Sequence, residues 1–113
     1  MTSKQTHKEA IQEFKERKPQ LGAYAVRCLA NGRVWVGTSR NLGASRNGIW
    51  FSLRIAGHRD RSLQEEWNAH GEVAFTYEVL ETLDEDVPLL SMMDVLKEKR
   101  RYWVAQLSAE ALL

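Results

Sequence analysis

Between residues 20 and 61 every lysine-or-arginine position is an arginine: Arg27, Arg33, Arg40, Arg46, Arg54, Arg59 and Arg61, against one acid, Asp60. Guanidinium groups grip phosphate oxygens and stay charged at any physiological pH. Two other side chains in this stretch carry proton chemistry. Tyr24 offers a phenol that can position a water or contact a phosphate, and His58 offers an imidazole that is either a proton carrier or a solvated loop side chain. From residue 62 to 96 the balance reverses, with Glu65, Glu66, Glu72, Glu78, Glu81, Asp84, Glu85, Asp86 and Asp94 and no Lys or Arg. Segment 27–61 is therefore either a surface for a polyanion or the internal partner of the acidic segment, because screening confines such a field to about 8 to 10 Å.

The elements that position these groups are legible in the periodicity. GAYAVRCLANGRVWVG, residues 22–37, predicts a hairpin, with strands at 22–29 and 33–38 around the turn pair Asn31-Gly32. A two-residue turn sets Tyr24 opposite Ser39 and Cys28 opposite Trp35, and any even-length loop keeps Tyr24 and Trp35 on one face. Residues 41–57 place Leu42, Arg46, Ile49, Leu53 and Ala56 on one helix face, capped by Asn41, so Arg46 falls on an apolar stripe. Ser62-Leu63-Gln64-Glu65 reads as a capping box that starts a second helix, carrying Leu63 and Trp67 and stopping at Gly71. Phe75, Tyr77 and Val79 alternate with polar residues in a strand at 74–81. Pro88 opens a helix to about Leu107, whose seam of Leu89, Met93, Leu96, Arg100, Trp103 and Leu107 turns Arg100 inward. An inward arginine needs either an acid such as Glu66 or Glu78 or an external anion. KEAIQEFKER, residues 8–17, predicts a short N-terminal helix ended by Pro19.

At 113 residues, with 43% apolar and 27% charged positions, the chain fits one folded domain, expected at 20–113 after an N-terminal helical extension at 1–19. No apolar run approaches the roughly 20 residues of a membrane span, and the start MTSKQTHKEA lacks a signal-peptide core, so no membrane and a cytoplasmic location are expected. A single cysteine, Cys28, excludes an internal disulfide and a Cys-rich zinc site. No P-loop, dinucleotide fingerprint, HExxH or EF-hand pattern is present.

Order and spacing point further. Gly22-Ala23-Tyr24, the turn Asn31-Gly32-Arg33, Trp35-Val36-Gly37, Thr38-Ser39-Arg40-Asn41-Leu42, Gly57-His58, LQEEWNAHGEVAFTYEVLE at 63–81 and Tyr102-Trp103-Val104 follow one another as in the GIY-YIG nucleases, which this chain resembles over roughly residues 20–107. The resemblance implies an α/β fold, a small three-stranded, mostly antiparallel sheet flanked by helices. It also implies an endonuclease acting on DNA phosphodiesters, single- or double-stranded, with Mg2+ or Mn2+ as cofactor. The candidate catalytic residues on that pattern are Tyr24, Trp35, Arg46 and His58, and the candidate nucleic-acid contacts, from the basic surface, are Arg33, Arg40, Arg54, Arg59, Arg61 and Arg100. Several positions depart from the pattern. Trp35 replaces a tyrosine and lacks its hydroxyl; Ser45 stands where the helix arginine belongs, one residue before Arg46; Ile49 stands at a frequent histidine. Arg100, three residues before Trp103, occupies the place of the metal-binding glutamate, and a guanidinium cannot ligate a cation. Two functions follow: a divergent, metal-dependent DNA endonuclease, or a catalytically degenerate module that binds nucleic acid or a protein partner through segment 27–61.

Overall fold

The computed structural model describes residues 19–83 and 87–112; the helix expected over 8–17 lies outside them. Four strands form one sheet in the order β3-β1-β2-β4. Strands β1 (Gly22–Cys28), β2 (Val34–Ser39) and β3 (Phe75–Thr82) are antiparallel, with β1 in the centre. The three-stranded expectation is thus short by one: β4 (Glu110–Ala111) runs parallel to β2, opposing Trp35 with Glu110 and Val36 with Ala111. The extra strand exists because Ser108 takes a left-handed φ of 50° after the last helix, turning the chain so that Leu112 buries itself and donates its N–H to Val36 O at 2.8 Å.

Helix α1 (Leu42–Arg54) and helix α2 (Arg61–His70) cover one face of the sheet, and α3 (Leu89–Leu107) packs on β1 and β2 across the other. Strand alternation sends Tyr24, Val26, Cys28, Trp35 and Phe75 to the first face, where they join Leu42, Ile49, Trp50, Leu53, Leu63, Trp67 and Leu112 in one core. Ala23, Ala25 and Val36 are buried on the α3 side. Full burial of an aliphatic such as Leu53 or Leu63 contributes about 1.5–3 kcal/mol. The shared face of Tyr24 and Trp35 is as expected, but the pairing is Tyr24 with Gly37 and Val26 with Trp35. The loop is longer than two residues: Cys28 N–H reaches Arg33 O at 2.8 Å and Gly32 N–H returns to Cys28 O at 2.8 Å. Asn31 does not take the positive φ that a primed turn needs; its Oδ1 instead accepts Arg33 N–H at 3.0 Å and its Nδ2 donates to Glu66 at 2.7 Å.

Cap positions separate two expectations. Asn41 caps α1 as expected, accepting from Ala44 N–H. For α2 the cap is Asp60, not Ser62: the carboxylate is the stronger acceptor for Leu63 N–H, and the Ser62 hydroxyl is engaged elsewhere. Along α3 only Leu96 of the anticipated seam is buried, while Leu89 and Met93 are 70% and 62% exposed, so the sheet covers the later turns alone. Among the described residues no helix is long and apolar enough to cross a membrane.

Two glycines give opposite expectations. A Cβ at Gly22 would collide with the Glu81 carbonyl of the neighbouring strand, whereas one at Gly48, within α1, meets nothing within 4 Å. In urea denaturation Gly22→Ala should cost about 1–3 kcal/mol, and Gly48→Ala should gain about 0.5–1 kcal/mol; equal effects would contradict this packing.

Candidate functional site

Tyr24 enters from the middle of β1. Its partner Gly37 must lack a side chain, because a Cβ there would lie 2.5 Å from the Tyr24 hydroxyl and 3.1 Å from Leu112. The Tyr24 ring stacks on Tyr77 of β3, with centroids 5.1 Å apart. Its hydroxyl has no hydrogen-bond partner among the described residues, yet no polar side-chain atom there is sealed off without one, so this hydroxyl meets solvent. Burial, helped by Tyr77 and opposed by the field of Arg100, pushes its pKa up to about 12. At neutral pH Tyr24 keeps its proton and acts as a donor.

The facing wall is the loop after α1. Ala56 adopts a left-handed φ of 59°, and Gly57 N–H closes the turn on Ser52 O at 2.7 Å. A chain of hydrogen bonds then fixes the loop. Trp35 Nε1 donates to Ser62 Oγ at 2.9 Å, Ser62 Oγ donates to Asp60 Oδ1 at 2.7 Å, and Asp60 N–H donates to His58 Nδ1 at 3.0 Å. On the other side His58 N–H donates to Gln64 Oε1 at 3.2 Å, and Gln64 Nε2 donates to Leu53 O at 3.0 Å. Tyr24, Ile49, Ser52, Gly57, His58 and Arg59 together line a cavity of about 290 Å3.

His58 is thereby defined. With Nδ1 accepting a backbone N–H, the neutral ring carries its proton on Nε2. Burial lowers its pKa below the ordinary 6.5, the Arg59 cation adds to this, and Asp60 opposes it. At neutral pH the cavity therefore holds a phenol, an imidazole N–H and a guanidinium: three donors and no free base.

The remaining expected site residues disperse. Trp35 is fully buried, its indole spent on Ser62, so it serves the loop rather than a ligand. Arg46 is exposed, with its guanidinium 5.6 Å from the Trp50 ring centre, and is off the apolar face. The preceding Ser45 is the one that turns inward, its hydroxyl bonded to Tyr77 and to Leu42 O. Arg33 is held by Glu66 at 3.1 Å and by Glu110 at 2.8 Å, Arg54 by both oxygens of Glu72, and Arg27 by Glu78 at 3.0 Å. Much of the basic segment thus pairs with the acidic one. Arg40, Arg59 and Arg61 stay exposed. Arg100 is half-buried without an ion pair among the described residues; Glu66 and Glu78, the acids expected to meet it, pair with Arg33 and Arg27. Tyr77 is the site neighbour that sequence reasoning passed over; its signal was the strand alternation that puts it on the Tyr24 face.

A divalent ion needs several oxygen ligands. Arg100 stands at the position where the resemblance implies the metal-binding carboxylate, and among the described residues no group of three His, Cys, Asp or Glu converges. Glu81, the carboxylate reached by α3, is engaged by Lys99 at 2.8 Å and by Trp103 Nε1 at 2.9 Å. These residues do not fit Mg2+ or Mn2+ there.

The lowered His58 pKa has a sign. The fold favours the neutral ring, so this contribution is complete above pH 6.5 and is lost as pH falls through the lower folded-state value. His58→Gln should flatten the loss of urea stability between neutral and mildly acid pH, and the wild-type ring should titrate in NMR with a midpoint below 6.5; an unchanged pH dependence would refute the assignment.

No protein-family model matches the chain, and no curated protein matches it. Solved structures do. One structure of the catalytic domain of the homing endonuclease I-TevI superposes with a TM-score of 0.68 at 21% identity, covering 82% of this chain and 98% of that one. A point mutant of the same intron endonuclease domain gives 0.66 at 24% identity, covering 79% and 84%. The likeness to GIY-YIG nucleases carried by the sequence motifs is thus a likeness of fold: the chain adopts the architecture of an I-TevI-type GIY-YIG catalytic domain.

Proposed function

We propose that this domain binds the phosphodiester backbone of DNA in the cleft between Tyr24 and the His58-Arg59 loop. One observation carries the reading: a phenol, a neutral imidazole and a guanidinium, each with an O–H or N–H to donate, line a single cavity. Such a set complements a phosphate anion, with the guanidinium supplying charge and the phenol and imidazole N–H supplying direction. It is poorly suited to taking a proton from water, because Tyr24 holds its own and His58 Nδ1 is occupied.

Hydrolysis of that backbone is the second reading, favoured by the fold shared with endonuclease catalytic domains and by the presence of Tyr24 and His58 in one cleft. It requires a base or a metal ligand beyond the groups of this cleft.

One set of assays distinguishes the two. Purified protein is titrated with single- and double-stranded DNA over a range of salt, and each substrate is also incubated with Mg2+ or Mn2+. We expect binding that weakens as salt rises, with Arg59→Gln reducing the log–log salt slope by about 1 and Tyr24→Phe weakening binding. Cleavage abolished by Tyr24→Phe would replace the binding reading with the nuclease one; absence of both activities would overturn both readings and leave a protein partner.

A further inference from the structure

A second feature lies on α3. Lys97, Arg100 and Arg101 share one side of its later turns and, with Val104 and Ala111 of β4, line an open depression of about 380 Å3. None of the three cations has an ion pair among the described residues. Arg27, Arg33, Arg54 and the adjacent Lys99 are by contrast each matched to a glutamate, and the other arginines without an ion pair among the described residues, Arg40, Arg46, Arg59 and Arg61, are exposed where Arg100 is half-buried. Glu110, next to Ala111, is engaged by Arg33, and Asp94 and Glu98 on α3 itself form no ion pair with the three cations among the described residues.

Ordinary structural needs do not explain the cluster. Like charges three and four residues apart on a helix repel one another, as Lys97 does Arg100 and Arg101, and the opposite charges at the same spacing, Asp94 and Glu98, form no ion pair with Lys97 or Arg101 that would offset this. The helix dipole favours cations only in the last turn, and the last turn of α3 has no basic residue. Arg100 is also partly withdrawn from water, which makes an unmatched charge costly. A bound anion would remove all three penalties together.

We infer that the α3–β4 depression is a phosphate-binding site, built around Arg100 and flanked by Lys97 and Arg101. The shared chemistry is a phosphate oxyanion, whether carried by a nucleic-acid backbone or by a small phosphate compound. The residues differ from those of the Tyr24 cleft, and the inference does not depend on DNA binding there. The two lie near each other, since the field of Arg100 reaches the Tyr24 hydroxyl.

The test uses the full chain, isotopically labelled, titrated with inorganic pyrophosphate at low ionic strength. Saturable NMR shifts are expected at the amides and side chains of Lys97 to Val104 and at Ala111, together with a rise in melting temperature. Both should vanish in Arg100→Gln/Arg101→Gln, whose remaining spectrum reports that the fold is intact, and should survive in Tyr24→Phe. If pyrophosphate produces no saturable shifts, or shifts only the Tyr24 cleft, or shifts the α3 residues equally in the double variant, the site is refuted. The source is read in a second arm with oligonucleotides. A salt slope reduced by about 2 in the double variant assigns the site to the nucleic-acid backbone, and an unchanged slope assigns it to a small phosphate compound. Failure of wild type to bind any oligonucleotide would count against the Tyr24-cleft reading alone, because the pyrophosphate result stands apart from it.

Discussion

The Asp60 carboxylate is the constraint on which the site rests. It is 5% exposed and caps α2, and it is reached by the Ser62 hydroxyl, which is held in turn by the indole of Trp35 deep in β2. Its own backbone N–H fixes the His58 ring. The centre of the sheet, the start of a helix and the orientation of a cleft imidazole are thus one connected network. In the buried environment of Trp35 such bonds are strong when complete and costly when one member is missing. The loop 57–60 gains its order from this chain, since Gly57, His58 and Arg59 add no side chain to the buried core.

Electrostatics divides the surface into a matched part and an unmatched part. Glutamates drawn from the acidic segment neutralise Arg27, Arg33 and Arg54, which converts an apparent polyanion-binding surface into links between strands and helices. Exposed links of this kind contribute little stability each, typically about 0–1 kcal/mol. Their larger effect is to leave the positive field concentrated elsewhere, around Arg59 at the cleft and around Arg100 on α3.

Much of this was legible in the sequence, and the gaps have physical causes. Hairpin, helices and the β3 alternation were readable because burial imposes periods of 2 and 3.6 on the residues. The hairpin register was not, since Asn31 spent its amide on Glu66 and Arg33 instead of adopting the turn that Asn-Gly favours. Arg46 was placed on the apolar face by spacing alone, but α1 is rotated so that Trp50 joins Ile49 in the core and Ser45 turns inward. Strand β4 is two residues long, too short for any periodicity, and exists through Leu112. Within the site, Tyr24 and His58 line one cavity, whereas Trp35 carries structure and Arg100 has no ion pair among the described residues. No pattern of charge along the chain announces which arginine pairs with which glutamate.

The indole of Trp35 has a consequence for how substitutions at this centre combine. A tyrosine at this fully buried position would lack the Nε1–H that meets Ser62, and its hydroxyl would need a partner of its own inside a packed core. A phenol at position 35 therefore disturbs the loop that presents His58 before it can supply any proton chemistry. Substitutions at residues 35, 60 and 62 are therefore coupled rather than additive, since each hydrogen bond of the chain depends on its neighbour.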